Sequence, residues 1–310
     1  MNKDSKIFIV GHDDIQEKSL LAYFVKSGFK NVFSASDIAL NTAVQSSVFH
    51  FFMKHRPEYV FLNSIRSGGI EANRQSPADF IYENIESQNN IFYSSYKFGV
   101  KKLLYLASSC VYPKEASQPI KESYILTGEL EETSRAYSIA KLAGIESTRA
   151  FRKQYGLNAI AAIPATVYGP GGDFDAGKSH VISALIAKFT GAARDNLSEV
   201  TVWGSGKPRR EFLYVDDFVS ACLFLMEKYN EEGIINFGAG EDISIAELAG
   251  IIARKTGFRG SVRYDASKPE GVMQKLLDNS RIKQLGWKPK TSLDMGIEET
   301  CKWYKDNSGK

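Results

Sequence analysis

Polar side chains with catalytic potential follow a short apolar segment near the middle of the chain. Residues 102–107 (KLLYLA) have the pattern of a buried strand, and Ser108, Ser109 and Cys110 come directly after it. Side chains that follow the strands of a parallel sheet emerge at its carboxyl edge, which is where ligands bind in open α/β sheets. A serine hydroxyl at this edge could donate a hydrogen bond to a bound carbonyl group.

A tyrosine and a lysine stand four residues apart in a predicted helix, as Tyr137 and Lys141. This spacing places both side chains on one helix face, although the pair by itself is also compatible with a solvated surface. The nearby serine segment favours a functional interpretation. The lysine charge would lower the pKa of the phenol, so Ser108, Tyr137 and Lys141 together form an acid/base set suited to a sugar carbonyl.

Short apolar segments alternate with helical patterns through the first half of the chain, and these elements must position the reactive residues. Such all-apolar strands separated by helices indicate a parallel sheet covered on both faces, with right-handed crossovers. The sequence therefore predicts an α/β fold with a Rossmann-like doubly wound parallel sheet. The predicted strands are 6–10, 31–34, 59–62, 102–107 and 159–163, and the predicted helices include 48–55, about 77–98 and about 137–155.

The pattern changes after about residue 170 to loops, short helices and short strands. A helix at 245–256, a strand at 261–264 and a final helix from about 293 to 305 are predicted there. We expect residues 1–170 to form the Rossmann-like domain, with part of 211–240 returning to it. Residues 171–310 are expected to form mainly a smaller C-terminal α+β lobe.

The composition disfavours several classes of partner. The chain has 310 residues, 43% of them hydrophobic, and its net charge of +3 arises from 39 basic and 36 acidic residues without a basic block, which argues against a nucleic-acid partner. Cys110, Cys222 and Cys301 are too few and too scattered for a disulfide framework or a metal cluster. The polar start and the lack of an apolar segment of ~20 residues predict a cytoplasmic protein without a membrane span.

Ordered runs of residues occur along nearly the whole chain in a combination that is specific to one family. They include SSCVYPK (108–114), YSIAKLAG (137–144), YGP (168–170), SHVI (179–182), WGSG (203–206), REFLYVDD (210–217) and KLLD (275–278). Together these runs resemble the GDP-L-fucose synthases, the GDP-4-keto-6-deoxy-mannose 3,5-epimerase/4-reductases of the extended short-chain dehydrogenase/reductase superfamily.

The resemblance implies a two-part chemistry on a GDP-linked deoxy sugar. In that family a cysteine and a histidine transfer protons at the carbons flanking the C4 ketone, and a Ser/Tyr/Lys set assists hydride delivery from NADPH. The resemblance gives the proton-transfer roles to Cys110 and His180, and it implies a homodimer formed through the long helices. It gives GDP binding to four residues of the C-terminal lobe, which are Lys188, Trp203, Arg210 and Lys275.

The turn after the first strand departs from the family pattern. A dinucleotide fingerprint would read G-x-x-G-x-x-G, whereas residues 11–17 read GHDDIQE. Gly11 remains, while Asp14 and Glu17 stand at the second and third glycine positions and bring bulk and negative charge toward the expected path of the cofactor phosphates. NADP(H), the cofactor of the family, is therefore expected to bind weakly or not at all. Further departures from the family's cofactor contacts fall at Asp13, Asp37, Val44, Asn63, Ser64 and Thr166.

Three hypotheses follow for the function. The preferred one is an enzyme that epimerises C3 and/or C5 of a GDP-4-keto-6-deoxy-hexose without net reduction, because inversion next to a ketone needs no hydride. The first alternative is the full NADPH-dependent epimerase/reductase. The second is a non-catalytic GDP-sugar-binding subunit, against which the retention of Cys110, Tyr137, Lys141 and His180 argues.

Overall fold

The computed structural model describes residues 1–12, 14–175, 179–268 and 271–308. Its strands are β1 (Lys6–Val10), β2 (Asn31–Ser34), β3 (Tyr59–Leu62), β4 (Lys102–Leu106), β5 (Ala159–Pro164), β6 (Thr166–Tyr168), β7 (Glu199–Trp203), β8 (Arg209–Tyr214), β9 (Ile234–Phe237), β10 (Asp242–Ser244), β11 (Ser261–Asp265) and β12 (Gln274–Lys275). Its helices are α1 (Ile15–Lys26), α2 (Gln45–His55), α3 (Ile70–Gln75), α4 (Pro77–Lys97), α5 (Arg135–Tyr155), α6 (Val181–Arg194), α7 (Val215–Lys228), α8 (Ile245–Thr256), α9 (Ser280–Gln284) and α10 (Leu293–Asn307).

A six-stranded parallel sheet forms the larger part of the fold, in the order β2-β1-β3-β4-β5-β9. Neighbouring strands end at the same level, since Val10 pairs with Leu62 and Leu106 pairs with Ala162. The strand order reverses beside β1, so the carboxyl ends of β1 and β3 border the crevice where such sheets bind ligands. The prediction of a Rossmann-like doubly wound sheet is confirmed.

The central strands are apolar throughout because helices cover both faces of the sheet. All five residues of β4 are buried, including the aliphatic part of Lys102, whose ammonium donates to the carbonyl oxygens of Leu225, Met226 and Tyr229. Helix α4 packs against both α2 and α5, and α1 packs with α7. The positions of the residues at the strand ends are thereby fixed by a fully buried core.

The C-terminal part of the chain builds a second, smaller core. Strand β8 pairs with β6, β10 and β12, while β7 pairs with β11. Buried side chains of α6 and α8, among them Phe189 and Leu248, fill this core. Between these elements the chain returns to the large sheet, because α7 contributes Phe218 to the first core and β9 pairs in parallel with β5.

Within the described part of the chain, no helix combines the length and the apolar character needed to cross a bilayer.

Close packing of α5 on the sheet supplies a stability test. A methyl group on Gly144 would overlap the Tyr105 ring and lie 2.7 Å from Gln88 Oε1. Tyr105 is fully buried and donates to Gln88, so it cannot move aside. Gly144→Ala is expected to lower the free energy of unfolding, measured by urea denaturation, by about 1–3 kcal/mol or more.

The matched control for this substitution is Gly191→Ala in α6. Nothing lies within 4 Å of the added methyl group there. Alanine is the better helix former by up to about 1 kcal/mol, so this variant is expected to be as stable as the wild type or slightly more stable. Equal urea midpoints for the two variants would contradict the packing argument.

Candidate active site

A cavity of about 780 Å³ opens at the carboxyl edge of the central sheet and extends to the C-terminal lobe. Residues that follow β1, β3, β4 and β5 line one side of it, and residues near α6, β8 and β12 line the other. Most of the predicted site residues meet here. The lining includes Ser108, Cys110, Tyr137, His180, Arg210 and Lys275, together with Asp14.

Ser108 and Cys110 leave the end of β4 in a tight turn. The chain forms a short 3-10 helix at Ser109–Val111, and the Ser108 side chain faces the Cys110 amide with an Oγ–N distance of 3.5 Å. Cys110 is a free cysteine with 7% of its surface exposed, and it borders the cavity. The turn therefore presents a hydroxyl and a thiol to the same space.

Helix α5 carries Tyr137 in its first turn and Lys141 one turn later. Lys141 is buried, its Nζ donates to the Leu106 carbonyl oxygen at 2.8 Å, and Nζ lies 6.0 Å from the centre of the Tyr137 ring. Burial lowers the pKa of Lys141 to about 7, against the opposing effects of Cys110 and Asp14. The lysine proton is therefore held weakly at neutral pH, and its charge depends on the groups around it.

The pKa of the Tyr137 phenol is shifted in the opposite direction from that of Lys141. Burial raises the pKa of Tyr137 above its usual value, the charge of Cys110 adds to this effect, and hydrogen bonds from Ser64 and Ser108 oppose it. The Tyr137 hydroxyl lies 2.7 Å from Ser64 Oγ. A phenol that keeps its proton at neutral pH is a hydrogen-bond donor for a carbonyl oxygen.

His180 stands at the N-cap of α6 and lines the cavity. The residue as a whole is exposed, while desolvation by the protein around the imidazole lowers the pKa of His180. Asp14 and Asp173 act in the opposite direction, and His12 acts in the same direction as the desolvation. A neutral imidazole at this position can accept a proton at neutral pH.

Two cations from adjacent strands line the far wall of the cavity. Arg210 on β8 and Lys275 on β12 are paired in register. Burial lowers the pKa of Lys275, the charge of Cys110 opposes this effect, Arg210 adds to it, and Glu131 opposes it. An arginine and a lysine side by side are suited to a diphosphate, since charge-assisted hydrogen bonds to phosphate oxygens are strong.

Lys188 and Trp203 lie apart from the residues that line the cavity, and their role in GDP binding stays a prediction. Lys188 Nζ donates to the Thr201 carbonyl oxygen at 2.6 Å, and the Trp203 ring is 59% exposed with Lys268 Nζ 5.6 Å from its centre. Their places on α6 and at the end of β7 direct them to the outer surface of the C-terminal lobe.

The fingerprint turn after β1 is stabilised by its own side chains. Asp14 is the N-cap of α1, where Oδ1 accepts from the Glu17 amide at 2.8 Å and Oδ2 accepts from Asn63 Nδ2 at 2.9 Å. A helix N-terminus attracts anions because its amides are unpaired and its dipole end is positive. In this chain a carboxylate of the protein already occupies that position. Asp13, the other substituted residue of the turn, lies outside the described residues.

Glu17 is not among the residues that line the cavity, although its bulk does fill the position of the third glycine. Its side chain lies over Gly11, where an added Cβ would be 2.9 Å from Glu17 Cβ, and it is 1% exposed. The carboxylate accepts from the Ser34 hydroxyl at 2.8 Å and from the Ser36 amide at 3.2 Å. The space that a third glycine would leave open is therefore filled, and the charge is directed to the end of β2.

The polar residues that follow β3 form a part of the site that the sequence did not identify. Asn63 and Ser64 were noted only as departures from the family's cofactor contacts, yet Asn63 contacts Asp14 and Ser64 contacts Tyr137. Nearby, His12 Nδ1 donates to the Ser64 carbonyl oxygen at 3.0 Å, and the Ser67 hydroxyl lies 3.1 Å from His12 Nε2. The sequence could have identified Ser64 in the same way as Ser108, because both residues follow a buried parallel strand and such positions lie at the ligand-binding edge of the sheet.

Comparison with known proteins places this cavity in a family context. The NAD dependent epimerase/dehydratase family matches residues 21–238. GDP-L-fucose synthase 1 of Arabidopsis thaliana is 43% identical over 99% of this chain and 95% of its own.

Two solved structures from Campylobacter jejuni also resemble the chain. A GDP-6-OMe-4-keto-L-xylo-heptose reductase superposes with a TM-score of 0.93 at 34% identity and covers 99% of both chains. A GDP-mannoheptose C4 reductase with NADP bound superposes with a TM-score of 0.90 at 34% identity and covers 98% of this chain and 99% of its own.

Proposed function

Since this chain belongs to the NAD dependent epimerase/dehydratase family and, within it, to the GDP-L-fucose synthase family, we propose that it is a GDP-sugar epimerase. The proposed reaction is inversion at C3 and/or C5 of a GDP-linked 4-keto-6-deoxy-hexose without net reduction. The observation that carries the proposal is the single cavity that combines a thiol, an imidazole, a phenol and a pair of cations.

The proposed mechanism needs proton transfer only. Cys110 or His180 removes a proton from a carbon next to the C4 ketone, and the electron pair of the broken C–H bond moves to form an enolate. Tyr137 and Ser108 donate hydrogen bonds to the ketone oxygen on which the negative charge develops. The other member of the Cys110/His180 pair then returns a proton to the opposite face of the same carbon. The sugar leaves with its ketone intact and one centre inverted.

The two cations at the far wall fit the nucleotide end of this substrate. Arg210 and Lys275 would bind the diphosphate, which would extend the sugar toward Cys110 and Tyr137. Cys110 lines the same cavity and opposes the lowering of the pKa of Lys275, which supports a sugar that extends from the two cations toward the thiol. The proposed diphosphate site does not include Lys188 and Trp203, which are not among the residues that line the cavity.

The fingerprint turn supports the cofactor-independent half of the proposal. The residues present do not fit a dinucleotide, because Asp14 caps the helix end that would face a pyrophosphate and Glu17 fills the space above Gly11. Glu17 also binds the serines after β2, at the strand end where these folds hold the adenosine ribose. A dinucleotide would have to displace satisfied hydrogen bonds and approach a carboxylate of like charge.

A second candidate function is the complete NADPH-dependent epimerase/reductase. It is favoured by the GDP-mannoheptose C4 reductase, which has NADP bound and resembles this chain over nearly its full length. In that case Tyr137 would protonate the oxygen of a reduced C4 carbonyl group. The two functions differ in their products, since only the second removes the ketone.

The long helices α4 and α5 support a proposal about assembly. They pack against each other along their length and expose aromatic side chains, among them Tyr82 at 63% and Tyr155 at 42%. We propose that this face joins two copies of the chain. Light scattering or analytical ultracentrifugation of the purified protein would measure the mass of the assembly.

The function is tested by incubating the protein with GDP-4-keto-6-deoxy-mannose in deuterated water, with and without NADPH. We expect deuterium at C3 or C5 at the same rate in both samples, full retention of the ketone, and no NADPH binding at micromolar concentrations by calorimetry. Loss of the ketone with NADPH would establish the reductase instead, and micromolar NADPH binding would overturn the cofactor-independent half of the proposal. Heat-treated protein is the control for uncatalysed exchange.

A further inference from the structure

We infer that Ser64 is a positioning residue for Tyr137, and that its hydroxyl donates to the phenol oxygen while the phenol donates to the substrate ketone. The inference rests on the proposed function, because it assigns to Ser64 a part in the enolisation of that substrate. It concerns a residue at which the chain departs from the family's cofactor contacts.

The contact is short and joins distant parts of the chain. Ser64 Oγ lies 2.7 Å from the Tyr137 hydroxyl, across 73 positions of sequence. Ser64 is buried, with 3% of its surface exposed. The ammonium of Lys141, the expected partner of the phenol, donates instead to the Leu106 carbonyl oxygen. The side chain that holds the phenol oxygen from this side is therefore Ser64.

The backbone around Ser64 is fixed by hydrogen bonds on both sides. The Asn63 amide donates to the Val10 carbonyl oxygen at 2.9 Å, and the Ile65 amide donates to the buried Asn84 Oδ1 at 2.9 Å. The Ser64 carbonyl oxygen accepts from His12 at 3.0 Å. A hydroxyl on so constrained a segment has little freedom to leave the phenol, so its position is set before substrate binds.

The chemistry requires a donor behind the phenol. A phenol has one proton, and once this proton is donated to the ketone the phenol oxygen can only accept. Ser64 then donates to that oxygen, and two hydroxyls in series stabilise the charge that grows on the ketone oxygen as the C–H bond breaks. The hydrogen bond from Ser64 also lowers the pKa of Tyr137, against the effect of burial, which makes the phenol a stronger donor.

The test compares Ser64→Ala and Ser64→Thr with the wild type, using the rate of deuterium incorporation into GDP-4-keto-6-deoxy-mannose. Ser64→Ala is expected to lower kcat about 10-fold, the effect of a hydrogen bond to a partly charged group, with KM unchanged. Ser64→Thr keeps the hydroxyl and is expected to restore most of the rate. The matched control is Ser87→Ala. It removes a buried hydroxyl that accepts a hydrogen bond from the Thr42 hydroxyl at 3.0 Å, and neither residue lines the cavity.

The outcomes separate this inference from the proposed function. An unchanged kcat in Ser64→Ala, an equal loss in the Ala and Thr variants, or a rise in KM alone would overturn the role of Ser64 while leaving the epimerase proposal in place. If wild-type exchange requires NADPH, the cofactor-independent function fails, and the Ser64 variants are then compared in its presence by the same criteria. Absence of exchange in the wild type under both conditions would overturn both.

Discussion

Cys110→Ser and His180→Asn are each expected to slow solvent deuterium uptake at C3 or C5 by ~10²-fold or more, the usual effect of losing a positioned proton-transfer group. Both side chains line the cavity, and neither is one of the two cations, Arg210 and Lys275, that would bind the diphosphate. GDP affinity, measured by calorimetry, is therefore expected to stay at the wild-type value in both variants.

Matched controls for these two substitutions lie elsewhere in the chain. Cys301→Ser removes a buried thiol from α10, and His50→Asn removes an exposed imidazole from α2. Neither residue lines the cavity, so both controls are expected to exchange deuterium at the wild-type rate. Undiminished exchange in both the Cys110 and the His180 variants would refute the proton-transfer assignment, whereas wild-type exchange no faster than that of heat-treated protein would favour the binding-subunit hypothesis.

Arg210→Ala is expected to weaken GDP binding by about 2 to 5 kcal/mol, because truncating one partner of a buried charge pair leaves the diphosphate charge poorly compensated. Each 1.4 kcal/mol corresponds to a factor of about ten in the dissociation constant. Calorimetric titration with GDP measures the change directly, and the thermal shift caused by GDP should fall in parallel.

The neighbouring arginine supplies the control for Arg210. Arg209 precedes it on β8, does not line the cavity, and pairs with Asp242 at 2.7 Å. Successive residues of a strand point to opposite faces, so the two arginines differ mainly in the side they face. Arg209→Ala is expected to leave GDP affinity unchanged. Equal affinities for wild type and Arg210→Ala would mean that this arginine has no part in nucleotide binding.

The sequence alone determined the fold and the location of several reactive residues, because both depend on local patterns. Apolar strands alternating with helices predicted the parallel sheet, and the observed strand limits differ from the predicted ones by a residue or so, as at β4 and β5. The position of Ser108 directly after a strand and the four-residue spacing of Tyr137 and Lys141 are likewise local features. The periodicity of a helix or a strand determines the face on which such a side chain lies, without any knowledge of tertiary contacts.

Only the tertiary structure decided the direction and the partners of the polar side chains. The fingerprint spacing located Glu17 at a glycine position, but whether its carboxylate entered the cavity depended on Ser34 and Ser36 at the end of another strand. The contact between Ser64 and Tyr137 depended in the same way on the packing of α5 against the turn after β3. Hydrogen-bond partners far apart in the chain are chosen by packing and by the need to satisfy buried polar groups, and neither has a periodic signature in the sequence.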